Sequence, residues 1–370
     1  MPCYHPLLRV VLQKNFYSDG KDLAEVVSYP PTLRPGFDHR VKRLSPGSKC
    51  FVPCSDSEGF PFQTIPCGKC LGCRMEYSRQ WANRCMLELE YHDSAYFVTL
   101  TYNDAHVRRS FYPDLDTGEA IPSLTLRKRD SQLFLKRLRF YRPDDKIRFF
   151  MCGEYGPSTW RPHFHYILFG LHLPDLVPTV QRRGHQVYHS EILERAWSED
   201  FYYQDLITGE TCATPLAKDD PLRKIGMVEV MDVSWTACSY VARYIMKKQK
   251  GPSAQFYPDH GLEPPFVLMS RKPGIARQWY DDHPDYNEFD YINIKTEQGG
   301  KKFRAPKYFN DIFDVQHPEE SAIFKANRLR LTEEAVKAKL SRTDLSYLDY
   351  LQVEEDKFTR RIQSLKREDI

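Results

Sequence analysis

The spacing of apolar positions changes several times along this chain, and each change predicts an element. From Arg74 to Tyr91, Trp81, Met86, Leu87 and Leu89 recur at helical spacing. Ala95 to Tyr102 is β-branched and aromatic and reads as a strand stopped by Asn103-Asp104. A loop containing Asp116-Thr117-Gly118 follows, then a helix over Leu124 to Tyr141 with Leu126, Leu133, Phe134 and Leu138 on one stripe. Ile147 to Gly153 and His163 to Phe169 read as two strands, joined by a Gly- and Pro-containing loop from Glu154 to Pro162. A short helix is expected around Ser190 to Trp197, a strand over Gly226 to Val233, and a helix over Trp235 to Lys248 with Ser234 as N-cap. Residues 1–66 show turn residues and little periodicity, and 170–225 read as otherwise irregular. Gly251 to Pro318 reads as loop-rich, and the last fifty residues as two charged helices forming a solvated arm or interaction tail.

Composition adds limits. With 370 residues, 41% apolar and 28% charged, the chain is long enough for two folded domains and too apolar for a disordered one. The net charge of +3 is small for a nucleic-acid binder, so basic surface must be local. Between Arg127 and Arg148 nine Lys/Arg (including Arg127, Lys128, Arg129, Lys136, Arg137 and Arg139) face three acids. Such a cluster suits phosphate contacts that set affinity without reading sequence. The 14% aromatic content could supply stacking platforms for unpaired bases. No signal-peptide pattern and no membrane-length apolar run are expected, which points to a cytoplasmic protein.

Ten cysteines in a reducing compartment point to metal before disulfides. Cys67, Cys70 and Cys73 lie at C-x-x-C-x-x-C spacing and could place three thiolates around one ion. A tetrahedral Zn²⁺ site needs a fourth ligand, for which Cys3, Cys50 and Cys54 compete; unpaired thiols and an iron–sulfur cluster are the alternatives. Cys85, Cys152, Cys212 and Cys238 stand in apolar or isolated contexts and read as small buried hydrophobes.

Side chains alternate along a strand, so His163 and His165 point the same way, with Cα atoms roughly 6.5–7 Å apart. Glu154, near the end of the preceding strand, would meet them if the chain returns as a hairpin. Two imidazoles and a carboxylate leave open coordination positions, as a catalytic ion requires, and suit Mg²⁺ or Mn²⁺. Tyr240 and Tyr244 are four apart, on one face of the expected helix, with Lys247 and Lys248 one turn later. A phenol attacks phosphorus poorly unless the phosphodiester is polarised, which is why tyrosines and a metal site belong together. No Gly-x-x-x-x-Gly-Lys-Ser/Thr phosphate loop occurs, so no nucleotide cofactor is expected.

Phe97-Val-Thr-Leu-Thr-Tyr102, Arg161-Pro-His163-Phe-His165, and Tyr240-Val-Ala-Arg-Tyr244 with Lys247 resemble the three ordered motifs of HUH endonucleases. Met1-Pro-Cys3-Tyr-His-Pro-Leu7, Pro66-Cys-Gly-Lys-Cys-Leu-Gly-Cys-Arg74, Cys152-Gly-Glu-Tyr-Gly156 and Met269-Ser-Arg-Lys-Pro-Gly-Ile275 are similar to replication initiators of Microviridae phages of the gokushovirus type. The resemblance implies an α+β fold, with a central antiparallel HUH sheet flanked by helices, an N-terminal cysteine module and a C-terminal helical tail. It implies His163 and His165 as metal ligands with Glu154 as the third, and Tyr240 and Tyr244 as nucleophiles. It favours Cys3 as the fourth thiolate. The implied activity is nicking of the plus-strand origin of phage replicative-form DNA, a 5′-phosphotyrosine link, and rejoining into a circle. Implied partners are single-stranded origin DNA and host helicase and polymerase, with no membrane, in the cytoplasm of a bacterial host.

Three parts are therefore expected: a cysteine-bearing arm over 1–89, an HUH nuclease domain over 90–250, and an extension with a charged helical tail over 251–370. A plasmid initiator, relaxase or transposase is the rival within the same chemistry. A zinc-containing single-strand binder without catalysis is the rival outside it.

Overall fold

His163 to Phe169 is apolar on both faces beyond its histidines, with Phe164, Tyr166 and Leu168 on one side and Ile167 and Phe169 on the other. A strand of that kind is stable only when covered on both sides. In the computed structural model it lies inside a seven-stranded sheet. The structure describes residues 3–13, 23–29, 40–41, 60–157, 159–182, 184–199, 202–204, 211–213, 223–234, 237–238, 241–242, 254–288, 291–296 and 299–368. The fold is mixed α+β, with a large antiparallel sheet and several helices.

The described chain divides into two units, Met1–Tyr77 with Asn310–Ile370, and Ser78–Phe309. In the first, β1 (Leu7–Gln13), β2 (Leu23–Ser28), β3 (Arg40–Val41) and β4 (Phe60–Ile65) form a sheet of order β2-β1-β4-β3. The sequence predicts little structure here. These strands are short, and two of them are separated from the next by long stretches, so pairing rather than local periodicity defines them. Helix α1 (Leu71–Leu89) begins at the end of this unit, earlier than its apolar stripe predicts.

In the second unit, β5 (Ala95–Thr101) leads to a hairpin of β6 (Arg109–Pro113) and β7 (Ala120–Leu124), then α2 (Lys128–Tyr141). The Asp116-Thr117-Gly118 loop is the turn of that hairpin, with the Asp114 carboxylate accepting from the N–H groups of Asp116 and Thr117. Next come β8 (Arg148–Tyr155), β9 (Pro162–Phe169), the hairpin β10 (Val177–Arg182) and β11 (His185–His189), and α3 (Glu191–Ala196). Ser190 caps α3 by accepting from the Leu193 N–H, as expected. The β10–β11 hairpin corrects the irregular reading of this region; every residue of β10 is exposed, so no buried face marks it. After the small pair β12 (Tyr202–Gln204) and β13 (Thr211–Ala213) comes β14 (Val228–Asp232). β15 (Phe266–Met269) lies in the stretch read as loop and adds an edge strand to the sheet, beside β8.

The sheet order is β10-β11-β14-β5-β9-β8-β15, each pair antiparallel. One face carries Val98, Leu100, Met151, Phe164, Tyr166 and Leu168, packed with Phe134, Leu135 and Leu138 of α2 and with Leu193, Ala196 and Trp197. The other carries Phe97, Phe150, Cys152, Ile167 and Phe169, packed with Trp81, Ala82 and Cys85 of α1 and with Cys238, Val241 and Ala242. Cys85, Cys152 and Cys238 are thus buried, as the sequence predicts. The side chain of Cys212 lies outside the described residues. Gly226 permits a close approach at one end of β5: a methyl group there would sit 2.0 Å from the Thr101 carbonyl oxygen.

The last two helices are α7 (Pro318–Leu340) and α8 (Tyr347–Glu368), counting Phe256–Asp259, Arg277–Asp282 and Lys307–Gln316 as α4 to α6. α7 exposes Ile323, Leu329 and Leu331 and is the solvated element expected. α8 is not: Leu351 is buried, Tyr347 packs on Tyr29 and Phe358 lies against Tyr4, so this helix belongs to the first unit's core.

Candidate metal centres and nucleic-acid surface

Register builds the first cluster. Strand β8 runs through Tyr155, two residues beyond the expected end, so Glu154 is a strand residue directly opposite His163, while Cys152 is opposite His165. On the other side of β9, Thr99 is opposite His165 and Thr101 opposite His163. Glu154, His163 and His165 therefore share the face on which α1 and residues 237, 238, 241 and 242 pack. The Glu154 Oε1 atom is 2.9 Å from His163 Nε2 and 3.3 Å from His165 Nε2. All three donor atoms lie within 4.8 Å of one another. Glu154 and His165 are buried and His163 is half-buried.

The imidazoles are oriented from behind. His163 Nδ1 lies 3.1 Å from the Arg161 carbonyl, which only accepts, so the proton of a neutral ring belongs on Nδ1 and the Nε2 lone pair faces Glu154. Arg161 is itself held, its guanidinium donating to the Tyr102 carbonyl and pairing with Asp104. The Thr99 hydroxyl is 3.0 Å from His165 Nδ1, and the Phe97 ring stacks on His165. A neutral imidazole nitrogen and a carboxylate oxygen are both acceptors, so they are held together only by a proton or a cation between them. Burial pushes the Glu154 carboxyl up, but the hydrogen bonds and positive charge of His163 and His165 outweigh it and bring it down to about 2. The donor set fits a divalent ion with coordination positions left open.

Sequence reasoning places Phe97, Thr99 and Arg161 in motifs but gives none of them a role in orienting the ligands. The alternation of β5 places Phe97, Thr99 and Thr101 on one face; only the pairing with β9 shows that this is the ligand face.

A second cluster forms where β1 begins, β4 ends and α1 starts. Leu7 pairs with Ile65, which brings Cys3 beside Cys67. Cys70 immediately precedes α1 and Cys73 lies in its first turn. Cys3 Sγ is 3.9 Å from Cys70 Sγ, and Cys67 Sγ is 4.0 Å from Cys73 Sγ. A tetrahedron with metal–sulfur bonds of about 2.3 Å has edges of about 3.8 Å, so the four sulfurs could hold one ion. The N–H groups of Tyr4, Lys69 and Cys70 and of Cys67 itself point at these sulfurs at 3.3–3.4 Å. Burial pushes the Cys3 thiol up and that of Cys73 to about 11. At Cys70 burial is outweighed by backbone donors at Cys73 and Tyr4, which bring the thiol down to about 7, so in the absence of a cation the cluster retains protons that a metal would displace. Cys50 and Cys54, the competing ligands, lie outside the described residues.

The basic cluster is exposed in part and tethered in part, and Arg127 and Lys128 are both, pairing with Asp130 and Glu263. Arg127, Lys128, Arg129, Lys136 and Arg139 are exposed on α2 or at its start. Arg139 donates to the Ile147 carbonyl, Arg142 pairs with Asp145, Arg137 reaches Glu199, and Arg148 is locked to Glu88. Arg127 and Arg137 also line a cavity of about 650 Å³ with Arg108, Arg195 and Arg223. Tyr240, Tyr244, Lys247 and Lys248 lie outside the described residues. The start of their segment is described: Ser234 Oγ accepts from the Ala237 N–H, which is the N-cap expected.

Residues 95–249 match the family model for replication-associated protein ORF2/G2P. That stretch opens with β5, contains Glu154, His163 and His165, and closes one residue after Lys248. The chain is 28% identical over 313 residues to replication-associated protein ORF2 of Spiroplasma virus 4, covering 82% of this chain and 85% of that protein. It is 27% identical over 289 residues to replication-associated protein VP4 of Bdellovibrio phage phiMH2K, covering 76% of each. Against replication-associated protein ORF4 of Chlamydia phage 1 it is 27% identical over 303 residues, 80% of this chain and 60% of that protein. No solved structure matches the chain. The resemblance to replication initiators of Microviridae phages is borne out: along most of its length the chain is similar to phage replication-associated proteins. No described helix is long and apolar enough to cross a membrane.

Proposed function

We propose that the chain is an HUH-type, metal-dependent DNA endonuclease and strand transferase that starts rolling-circle replication of a phage genome. The observation that carries this reading is the convergence of Glu154, His163 and His165 on one point of one sheet face. Residues 238, 241 and 242, at the start of the tyrosine-bearing segment, pack on that same face. Residues 90–250 would form the nuclease domain, with 1–89 as the cysteine-bearing arm and 251–370 as the extension.

Glu154, His163 and His165 would hold Mg²⁺ or Mn²⁺, which supplies polarisation of the scissile phosphodiester and stabilises developing charge. Thr99 and the Arg161 carbonyl keep both Nε2 atoms aimed at it. The phenolic oxygen of Tyr240 or Tyr244 attacks phosphorus, forming a P–O bond to tyrosine as the P–O3′ bond breaks. The phenolic proton ends on the released 3′-hydroxyl, and the 5′ end stays linked as a phosphotyrosine. One phosphodiester is exchanged for another, so no ATP is needed. The second tyrosine allows a second exchange, which closes the finished strand into a circle. Lys247 and Lys248 would offset phosphate charge near the tyrosines, and Arg127, Lys128, Arg129, Lys136, Arg137 and Arg139 would contact the DNA backbone.

Cys3, Cys67, Cys70 and Cys73 would hold a structural Zn²⁺, tying the first strand, the fourth strand and the start of α1. The DNA would be the single-stranded origin of a phage replicative form, inside a bacterial host whose helicase and polymerase extend the free 3′ end. Incubation with a labelled origin oligonucleotide and Mn²⁺ tests the reading: a cleaved strand joined to protein is expected, and intact oligonucleotide with bound protein would overturn it.

A further inference from the structure

The turn between β8 and β9 carries a feature that metal binding does not use. Trp160 is 46% exposed and holds a φ of +52°, a left-handed conformation that bulky residues rarely adopt. Its N–H donates to the Gly156 carbonyl at 3.1 Å, and the Gly156 N–H donates to the Arg161 carbonyl at 2.9 Å. The Trp160 ring is 5.8 Å from Tyr155 and 5.4 Å from Phe256, Phe256 is 4.2 Å from His260, and His260 is 4.9 Å from Tyr112. Five rings from three separate stretches of chain thus form a continuous row.

The row is rigid at both ends. The Tyr155 hydroxyl donates to the Glu263 carbonyl and accepts from the Leu126 N–H. At the other end Gly261, with φ +63°, sits so close to the β6 strand that a methyl group there would be 2.9 Å from the Phe111 carbonyl oxygen. Positive charge adjoins it, because the exposed Arg127, Lys128 and Arg129 begin one residue after Leu126, which Tyr155 anchors. Lys128 is further tied to this end of the row, its N–H donating to the Glu263 carboxylate. Trp160 is three residues from His163, so their Cα atoms are at most about 11 Å apart.

We infer that Trp160, with Tyr155, Phe256, His260 and Tyr112 behind it, is a stacking platform for the bases of single-stranded DNA a few nucleotides from the metal ligands. Rings offer every base a π-face without reading it, and the adjoining cations track the backbone. Duplex DNA, whose bases are already stacked, gains nothing from such a surface. The inference rests on the nuclease reading only for its choice of DNA and for the role of the nearby ligands.

Binding is measured in EDTA, so that cleavage does not enter, with a fluorescein-labelled single-stranded oligonucleotide and with the same sequence as a duplex. Trp160→Ala should weaken single-strand binding roughly tenfold and Trp160→Phe should restore most of it, while duplex binding stays level. Oligonucleotide-induced quenching of tryptophan emission should shrink in Trp160→Phe, a folded variant that keeps a ring. Single-strand affinity within about twofold in Trp160→Ala, or unchanged quenching in Trp160→Phe, overturns the platform. If wild type cleaves and Trp160→Ala binds normally, the platform fails and the nuclease stands. If Trp160→Ala loses binding but no metal supports cleavage by wild type, the nuclease fails and the platform stands.

Discussion

Glu154 faces His163 directly across the β8–β9 pair, its carboxylate 2.9 Å from an imidazole nitrogen whose other ring nitrogen is already committed to the Arg161 carbonyl. That geometry calls for a proton or a cation between them, and the proposed nuclease places a divalent cation there. His163→Ala should therefore lose Mn²⁺ binding, measured by titration calorimetry, and lose cleavage, while single-stranded DNA binding in EDTA stays close to wild type. Retained cleavage after verified metal removal would contradict it.

Thr99→Val removes only the hydroxyl behind His165 and nearly preserves shape. Loss of such a supporting group weakens metal affinity by about 10- to 100-fold. Added Mn²⁺ should rescue cleavage in this variant, whereas a residue needed only for folding would show a lowered melting temperature and no rescue.

Much of this site is legible from residues alone, and what is not has a physical reason. Strand alternation puts His163 and His165 on one face, and the short spacing to Glu154 allows a hairpin. The partners on β5 are more than sixty residues away in sequence, so Thr99 and Phe97 become visible only through register. Arg148 reads as one more charge in a basic run, yet it is tied to Glu88, because a pairing partner on α1 leaves no local trace. Strand β10 is exposed throughout and β6 and β7 bury no residue, so periodicity has no buried face to reveal there. β15 escapes because four residues are too few to show a period.

The cysteine cluster predicts about one zinc per chain retained through dialysis, by the coordination rule for closed structural sites. Cys70→Ser should lose that ion and become protease-sensitive in residues 1–77, since metal binding and ordering of the segment are coupled. Folded protein that carries neither zinc nor a cluster by elemental analysis would contradict the assignment.

Burial, reinforced by the adjacent Asp130 carboxylate, holds the Tyr102 phenol well above its ordinary value of about 10, and burial does the same for Tyr166. Both groups keep their protons in the folded state where the unfolded chain loses them. Their contribution is thus fully present below pH of about 10 and falls as pH rises further, by about 1.4 kcal/mol per unit for each group. Urea unfolding between neutral pH and pH of about 11 should show that decline, and Tyr102→Phe should make it shallower by one proton's worth.

The central claim concerns the atom that takes the DNA. Tyr→Phe keeps the ring and removes only the nucleophilic oxygen, so it isolates chemistry from packing. Single variants at Tyr240 and Tyr244 should each keep some nicking of short oligonucleotides and fail to form closed circles. The most direct measurement is mass spectrometry of the covalent adduct formed with an origin oligonucleotide and Mn²⁺. The account predicts a phosphodiester on Tyr240 or Tyr244 in wild type and no adduct in the double Tyr→Phe variant, which still binds the DNA. An adduct that persists in the double variant, or one mapped to another residue, would contradict it.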